Sequence, residues 1–174
     1  MDISKFYTTV PDWIWKGNAA SDISQLLANP DVFSYSVECL TELTKKYNID
    51  NIVAIETRGF IWASALAFSA KLPLHLARKP LRIPRPVVES RFMSRNRHYS
   101  LSIQKDANIY GNVMVVDDIL VSGSTLNSVG ELLKEHFDIL PVNQLHTSII
   151  AIKDWQGKKM LLDKGYLVEN LATI

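Results

Sequence analysis

The string VMVVDDILVSGST at positions 113–125 constrains the fold of this chain more than any other stretch. Residues 113–116 are an unbroken apolar run, which is how a strand reads when both of its faces are covered. Asp117 and Asp118 close that run, small polar residues follow, and residues 126–136 return to helical spacing. A buried strand that passes through a polar loop into a helix is half of a βαβ unit. The expected fold is therefore α/β, a mainly parallel twisted sheet with flanking helices. Ligands of such sheets bind beyond the carboxyl ends of the strands. The loop, expected over residues 117–125, stands at such an end.

The rest of the chain keeps the alternation. Asn29 reads as a helix cap with Pro30 in the first helical position. Val32, Phe33, Val37, Leu40 and Leu43 then carry helical spacing as far as Lys45 and Lys46. A short strand is expected over residues 51–55, ending in a second loop at a strand's carboxyl end, Glu56-Thr57-Arg58-Gly59. An apolar helix over residues 60–70 and a strand over 72–77 follow. An alternating strand over 99–104, at a sheet edge or hood, and a buried strand over 145–152 complete the pattern. No repeat, low-complexity tract or linker interrupts it, so residues 1–174 are expected to form one domain.

The loop after the central strand has the chemistry of a phosphate site. Gly123 allows a tight turn and a close approach of backbone to ligand. Ser122, Ser124 and Thr125 place hydroxyls where the next helix begins, beside free backbone N–H groups and the positive end of the helix dipole. Asp117 and Asp118 are too near such a site to bind the phosphate. They suit vicinal sugar hydroxyls as acceptors, or Mg2+ through water. The group expected here is the 5-phosphate of a phosphorylated sugar. A lysine-bearing nucleotide loop, a dinucleotide GxGxxG and a hydrolase GxSxG are all absent. The histidines, His75, His98, His136 and His146, show no metal-ligand spacing.

Composition narrows the remaining classes. A hydrophobic share of 47% with 21% charged residues is that of a folded globular chain. No window approaches 18 consecutive apolar residues, and the first residues lack the basic flank and apolar run of a secretion signal. Cys39, the single cysteine, cannot form an internal disulfide and reads as a small core filler, so the expected location is cytoplasmic. A net charge of +1 gives no reason to expect a nucleic-acid or membrane partner. It conceals a local excess, however. Seven of the 19 basic residues, Arg78, Lys79, Arg82, Arg85, Arg91, Arg95 and Arg97, are opposed only by Glu89, and Pro80, Pro84 and Pro86 exclude a regular helix there. This segment reads either as a loop or ribbon that meets an anion or as a solvated charged surface.

The string VVDDILVSGST resembles the phosphoribosyl-pyrophosphate motif of type I phosphoribosyltransferases. Further matches run along nearly the whole chain and resemble the adenine phosphoribosyltransferase family. Asp22-Ile23-Ser24 and Asn29-Pro30-Asp31-Val32-Phe33 are similar to its DIxxLLxxPxxF entry helix. Arg58-Gly59-Phe60 is similar to its RGF loop, and Arg78-Lys79-Pro80 with Ile83-Pro84 to its RKPxxLPG segment. LSIQKDA at 101–107 matches the strand after its flexible loop.

The resemblance implies a sheet with a small hood built from the N- and C-terminal segments. It implies transfer of 5-phosphoribose from phosphoribosyl pyrophosphate to a purine, with release of pyrophosphate, in purine salvage. Mg2+ would be the cofactor, held through substrate, with no direct protein ligand and at most water-mediated contact to Asp117 and Asp118. Val121, Ser122, Gly123, Ser124 and Thr125 would hold the 5-phosphate, and Asp117 and Asp118 the ribose hydroxyls. Arg58 with the Thr57 and Gly59 backbone, and Arg78 with Lys79, would hold the pyrophosphate. Arg58, Arg78, Lys79 and Asp117 form the candidate catalytic set, acting on charge that builds during transfer. Residues 82–97 would be a lid that excludes water. A homodimer is also implied; Trp13 and Trp15 read either as interface residues or as cover for the core.

Two segments depart from the adenine pattern. The family's PGxxFRD base-recognising segment corresponds to Lys16-Gly17-Asn18-Ala19-Ala20-Ser21-Asp22, without the aromatic or the arginine. Its lid glutamate, in a YxxEYG setting, corresponds to Arg95, and Glu89 is out of register. Residues 153–159 and 165–172 are instead similar to the tail of xanthine phosphoribosyltransferases. Lys153, having only donors, suits an oxopurine acceptor such as hypoxanthine, guanine or xanthine, and Trp155 could stack on the base. Their plainer readings are a solvated turn lysine and a core aromatic. Adenine is favoured by overall resemblance; the alternatives are an oxopurine enzyme or a non-catalytic relative that binds phosphoribosyl pyrophosphate or a nucleotide.

Overall fold

The computed structural model describes residues 1–11, 20–94, 97–154 and 156–174. A 3-10 turn, Ile3–Phe6, leads into a two-stranded antiparallel ribbon of β1 (Thr8–Val10) and β2 (Ala20–Asp22). After the short helix α1 (Ser24–Ala28), Asn29 begins α2 (Pro30–Lys46) as the sequence predicts. Its side chain accepts from the Asp31 and Val32 amides, and Pro30, which has no N–H to satisfy, fills the first position. Strand β3 (Asn51–Ile55) matches its expected bounds and is wholly buried. Then come α3 (Gly59–Ala70), β4 (Leu74–Ala77) and an antiparallel hairpin, β5 (Val87–Ser94) with β6 (Arg97–Gln104). The chain continues through β7 (Val113–Leu120), α4 (Ser124–Phe137), β8 (Gln144–Ala151), α5 (Gly157–Asp163) and β9 (Leu167–Thr173).

The five strands β4-β3-β7-β8-β9 make one parallel sheet in that order. One face is covered by α1, α2 and α3 through Leu26, Val32, Leu40, Trp62 and Leu66. The other is covered by α4, α5 and the hairpin through Leu126, Val129, Leu133, Leu161, Val88 and Ile103. Each large aliphatic side chain removed from water contributes about 1.5–3 kcal/mol. Trp62 is fully buried, and its indole N–H is satisfied by Ser36 Oγ at 2.9 Å.

Three sequence expectations change. β7 runs four residues past the expected Val116, because β8 continues to pair with it through Leu120 after β3 has ended at Ala54↔Val116. Asp117 and Asp118 therefore belong to a strand, and the loop shrinks to residues 121–123. The basic segment takes the ribbon form over much of its length, one of the two forms its sequence suggests. Of the expected hood, the N-terminal part is the β1–β2 ribbon. The C-terminal part is the edge strand β9 of the main sheet, because its backbone pairs in parallel with β8. Cys39 is half-buried on α2 and outside the core. No described helix is long and apolar enough to cross a membrane.

Candidate active site

Three strand ends converge at the carboxyl edge of the sheet. β3 delivers Glu56, Thr57 and Arg58, β4 delivers Arg78 and Lys79, and β7 delivers Asp117 and Asp118. The Glu56–Thr57 peptide is cis. Helix α3 begins close to β7: a Cβ on Gly59 would lie 2.6 Å from the Val116 carbonyl oxygen, so glycine is what allows Arg58 to reach the aspartates. The Arg58 Nε stands 2.6 Å from Asp118 Oδ2, and its Nη1 donates to the Ser21 carbonyl of β2 at 3.0 Å. Asp118 is only 5% exposed. The Arg58 N–H is not directed at Oδ2, and among the described residues that oxygen has no aligned hydrogen-bond donor. Asp117 Oδ1 accepts the Asp118 amide at 2.9 Å. Burial, and then the neighbouring Asp118 charge, push the Asp117 carboxyl well above the usual carboxylate range.

Gly123, at φ +77°, turns the chain from β7 into α4. Gly123 offers α4 no capping side chain, and apart from the Ser124 amide, which makes a long 3.4 Å bond to Ser122 Oγ, its first-turn amides are left to a ligand. Ser122 and Ser124 hydroxyls are 2.8 Å apart across the turn. A Cβ at Gly123 would come within 2.8 Å of Met160 Cε and 2.9 Å of the Gly157 carbonyl oxygen, and one at Gly157 would strike the Val121 carbonyl oxygen. The loop is thus clamped onto the first turn of α5.

A cavity of about 340 Å³ joins these parts, lined by Glu56, Arg58, Lys79 and Thr125 below and by Phe92, Tyr99, Ser100 and Leu101 of the hairpin above. Phe92 and Tyr99 stack with centroids 5.8 Å apart. The hairpin is tied to α4 through Ser90 Oγ and Ser128 Oγ, 2.7 Å apart. Strand alternation puts Glu89 on the opposite face from Phe92, where Arg91 Nε donates to it at 3.1 Å. Glu89 therefore does not face the cavity.

The structure brings together Arg58, Lys79, Asp117, Asp118, Thr125 and the Ser122–Ser124 turn, with Thr57 exposed beside them. It does not bring Arg78 to this cavity. Arg78 pairs through its backbone with Ser102, donates Nη1 to the Arg82 carbonyl at 2.9 Å, and lines a separate cavity with Leu74, His75 and Ile83. Lys153 is exposed at the end of β8, its amide bonded to the Ile174 carbonyl at 2.7 Å, and lines an open cavity of about 460 Å³ with Asp154 and Gln156. Trp155, Arg95, Trp13, Trp15 and residues 16–19 lie outside the described residues.

Sequence reasoning passed over Glu56. Its side chain is 9% exposed, and Oε2 accepts the Lys79 amide at 2.9 Å and lies 3.5 Å from Arg78 Nε. It fixes the end of β4 against the end of β3. The available signal was an acid directly after the apolar run Ile52-Val53-Ala54-Ile55 and two residues before Arg58.

The family profile of the phosphoribosyl transferase domain matches residues 22–137, two thirds of the chain. The adenine phosphoribosyltransferase of Petrotoga mobilis is 38% identical over 134 residues, covering 76% of this chain and 78% of that protein. That of Pelagibacter ubique is 29% identical over 174 residues, covering 98% and 97%. Among solved structures, adenine phosphoribosyltransferase from Thermoanaerobacter pseudethanolicus superposes with a TM-score of 0.86 at 27% identity, over 99% of this chain and 98% of that one. The Giardia lamblia enzyme complexed with 9-deazaadenine shares the fold, with a TM-score of 0.89 at 24% identity over 100% and 98%.

Proposed function

Because the chain belongs to the phosphoribosyl transferase family, we propose that it moves 5-phosphoribose from phosphoribosyl pyrophosphate to a purine base, adenine first among them, releasing pyrophosphate in purine salvage. The observation that carries this reading is the one cavity onto which Arg58, Lys79 and Thr125 all open, with Asp118 behind Arg58. The uncapped start of α4 takes the 5-phosphate, with Val121, Ser122, Gly123, Ser124 and Thr125 around it. Asp118, short of a donor at Oδ2, and Asp117 beside it accept from the ribose hydroxyls. Arg58 and Lys79, with the Thr57 and Gly59 backbone, hold the pyrophosphate and stabilise the negative charge that gathers on it as the glycosidic bond breaks. Arg78 acts indirectly, by fastening the segment that presents Lys79. The Phe92–Tyr99 face of the hairpin covers the cavity and keeps water from the activated sugar.

Mg2+ fits these residues as a shared ion. The described residues contain no cluster of three metal-ligating side chains, but Asp117 and Asp118 offer adjacent hard oxygens suited to water-mediated contact. When bound, the ion neutralises the pyrophosphate. The family resemblance supports a homodimer, and the single unpaired Cys39 supports a cytoplasmic location. We take residues 1–174 as one catalytic domain.

Lys153 favours a second reading, an oxopurine acceptor, since a lysine offers only donors to a base. One assay separates the two: the protein, Mg2+ and phosphoribosyl pyrophosphate are incubated with adenine, hypoxanthine, guanine or xanthine, and pyrophosphate release is followed. Turnover with adenine is expected. Turnover confined to hypoxanthine, guanine or xanthine refutes the adenine reading, and ligand binding without turnover on any base refutes the reading as a purine enzyme.

A further inference from the structure

The ion pair between Arg58 and Asp118 stands where the donor's pyrophosphate and ribose would each claim one partner. Arg58 is half exposed and can turn toward a ligand, whereas Asp118 is 5% exposed and stays in β7. An anion that draws the guanidinium away leaves the buried Oδ2 of Asp118 with neither its cation nor, among the described residues, an aligned donor, a costly state. The intact donor repairs this at once, because its ribose hydroxyls donate to Asp118 as its pyrophosphate takes Arg58. Free pyrophosphate brings further negative charge and acceptors, and nothing for Asp118. Asp117 differs although it is adjacent: its Oδ1 already accepts the Asp118 amide at 2.9 Å, and no ion pair with Arg58 holds it.

We propose that Asp118, through its ion pair with Arg58, is a specificity-determining residue that makes the site favour intact phosphoribosyl pyrophosphate over free pyrophosphate and so eases release of that product. This rests on the reading of the cavity given above. The donor and the released anion share the same cation site, and a site built only from cations would retain the product. An internal carboxylate that reclaims Arg58 when the sugar leaves removes that trap.

Binding of inorganic pyrophosphate and of phosphoribosyl pyrophosphate, each with Mg2+, is measured by calorimetry on the wild type, Asp118→Asn and Asp117→Asn. Asp118→Asn is expected to bind pyrophosphate about tenfold more tightly and phosphoribosyl pyrophosphate about tenfold more weakly, a change of opposite sign. Asp117→Asn is expected to leave pyrophosphate affinity within about threefold. Pyrophosphate bound no more tightly by Asp118→Asn overturns the proposal, as does an equal gain in Asp117→Asn, which shows that the effect is not particular to the Arg58–Asp118 pair. Asp118→Ser carries the same expectation if the asparagine variant fails to fold. A wild type that binds no phosphoribosyl pyrophosphate sinks the functional reading itself. A wild type that binds it, with no gain for pyrophosphate in either Asp118 variant, sinks only this inference.

Discussion

At the amino end of the sheet Asp50 accepts the Asn112 amide at 2.8 Å, while at the carboxyl end Asp118 Oδ2 has a cation beside it and, among the described residues, no aligned donor. Asp50 directly precedes β3 and Asp118 lies within β7, buried strands of the same sheet. Around Asp50 the polar groups satisfy one another. Asn112 Nδ2 reaches the Tyr47 and Asn48 carbonyls, its Oδ1 accepts from Asn143, and Asn51 Nδ2 donates to the Tyr110 carbonyl at 2.6 Å. Around Asp118 the helix start is uncapped, Asp117 is pushed toward its neutral form, and Arg58 is split between an acid and the Ser21 carbonyl. A polar group that completes its bonds within the chain supports the fold. One that is left short at a strand's carboxyl end waits for a ligand. The comparison predicts that substitutions above should damage function and spare stability, and that those below should do the reverse.

The largest effect belongs to Arg58. Arg58→Ala is expected to lower kcat/KM for phosphoribosyl pyrophosphate by about 10²–10³, the loss typical of one preorganised electrostatic contact. The same change should alter unfolding free energy by less than about 1 kcal/mol, because Arg58 is half exposed and water fills the space it leaves beside Asp118, a relief that a bound anion in that space denies. Steady-state kinetics together with urea unfolding checks both halves. A comparable fall in stability would place Arg58 with the supporting groups and break the contrast.

The lower half has exceptions among the described residues, Tyr166 Oη and, with the larger consequence, His146. It is fully buried on β8, Nε2 lies 3.1 Å from Gln144 Oε1, and Nδ1 has no partner among the described residues. Burial holds its pKa down at about 3, against 6.5 for the free side chain. The unfolded chain therefore binds the proton more readily. The contribution is complete above pH 6.5 and is lost as pH falls from 6.5 toward 3, by up to about 1.4 kcal/mol per pH unit. Urea melts of the wild type and His146→Gln between pH 7.5 and about pH 4.5 should show a flatter dependence in the variant. Parallel curves would mean that His146 is not the group responsible.

The unequal legibility of these regions follows from range. α2 and β3 could be bounded from sequence because local chemistry sets them: Asn29 and Pro30 at the start of the helix, four consecutive apolar residues in the strand. The phosphate loop was readable for the same reason, since Ser122, Gly123 and Ser124 are contiguous. β7 was placed four residues short because Asp117 and Asp118 break its apolar run, and only the pairing with β8 keeps those residues in a strand. β9 was likewise hidden, its half-buried Glu169, Asn170, Leu171 and Ala172 giving no clear alternation. Glu56, bonded to the amide of Lys79, and Arg58, paired with a residue on another strand, are consequences of which strand ends meet. Arg78 misled for the opposite reason. Its neighbour Lys79 lines the cavity, but the backbone pairing with Ser102 accompanies a guanidinium turned to Arg82.

The smallest expected effect tests the lower end directly. Asp50 is half-buried and its Oδ2 is the acceptor for Asn112 N. Asp50→Ala removes the acceptor and leaves that amide short of a partner, which costs about 1–2 kcal/mol of unfolding free energy. Asp50→Asn keeps an acceptor oxygen and should cost less than half as much. Neither should change KM for phosphoribosyl pyrophosphate, since Asp50 lies at the opposite end of β3 from Arg58. The Asp→Asn change thus gives opposite signatures at the two ends of one sheet: a small loss of stability without a kinetic effect at Asp50, and altered ligand affinity with the fold intact at Asp118. A change in KM from Asp50→Asn would show that the amino-end network sets the geometry of the site, so that support and function could no longer be separated along the strand.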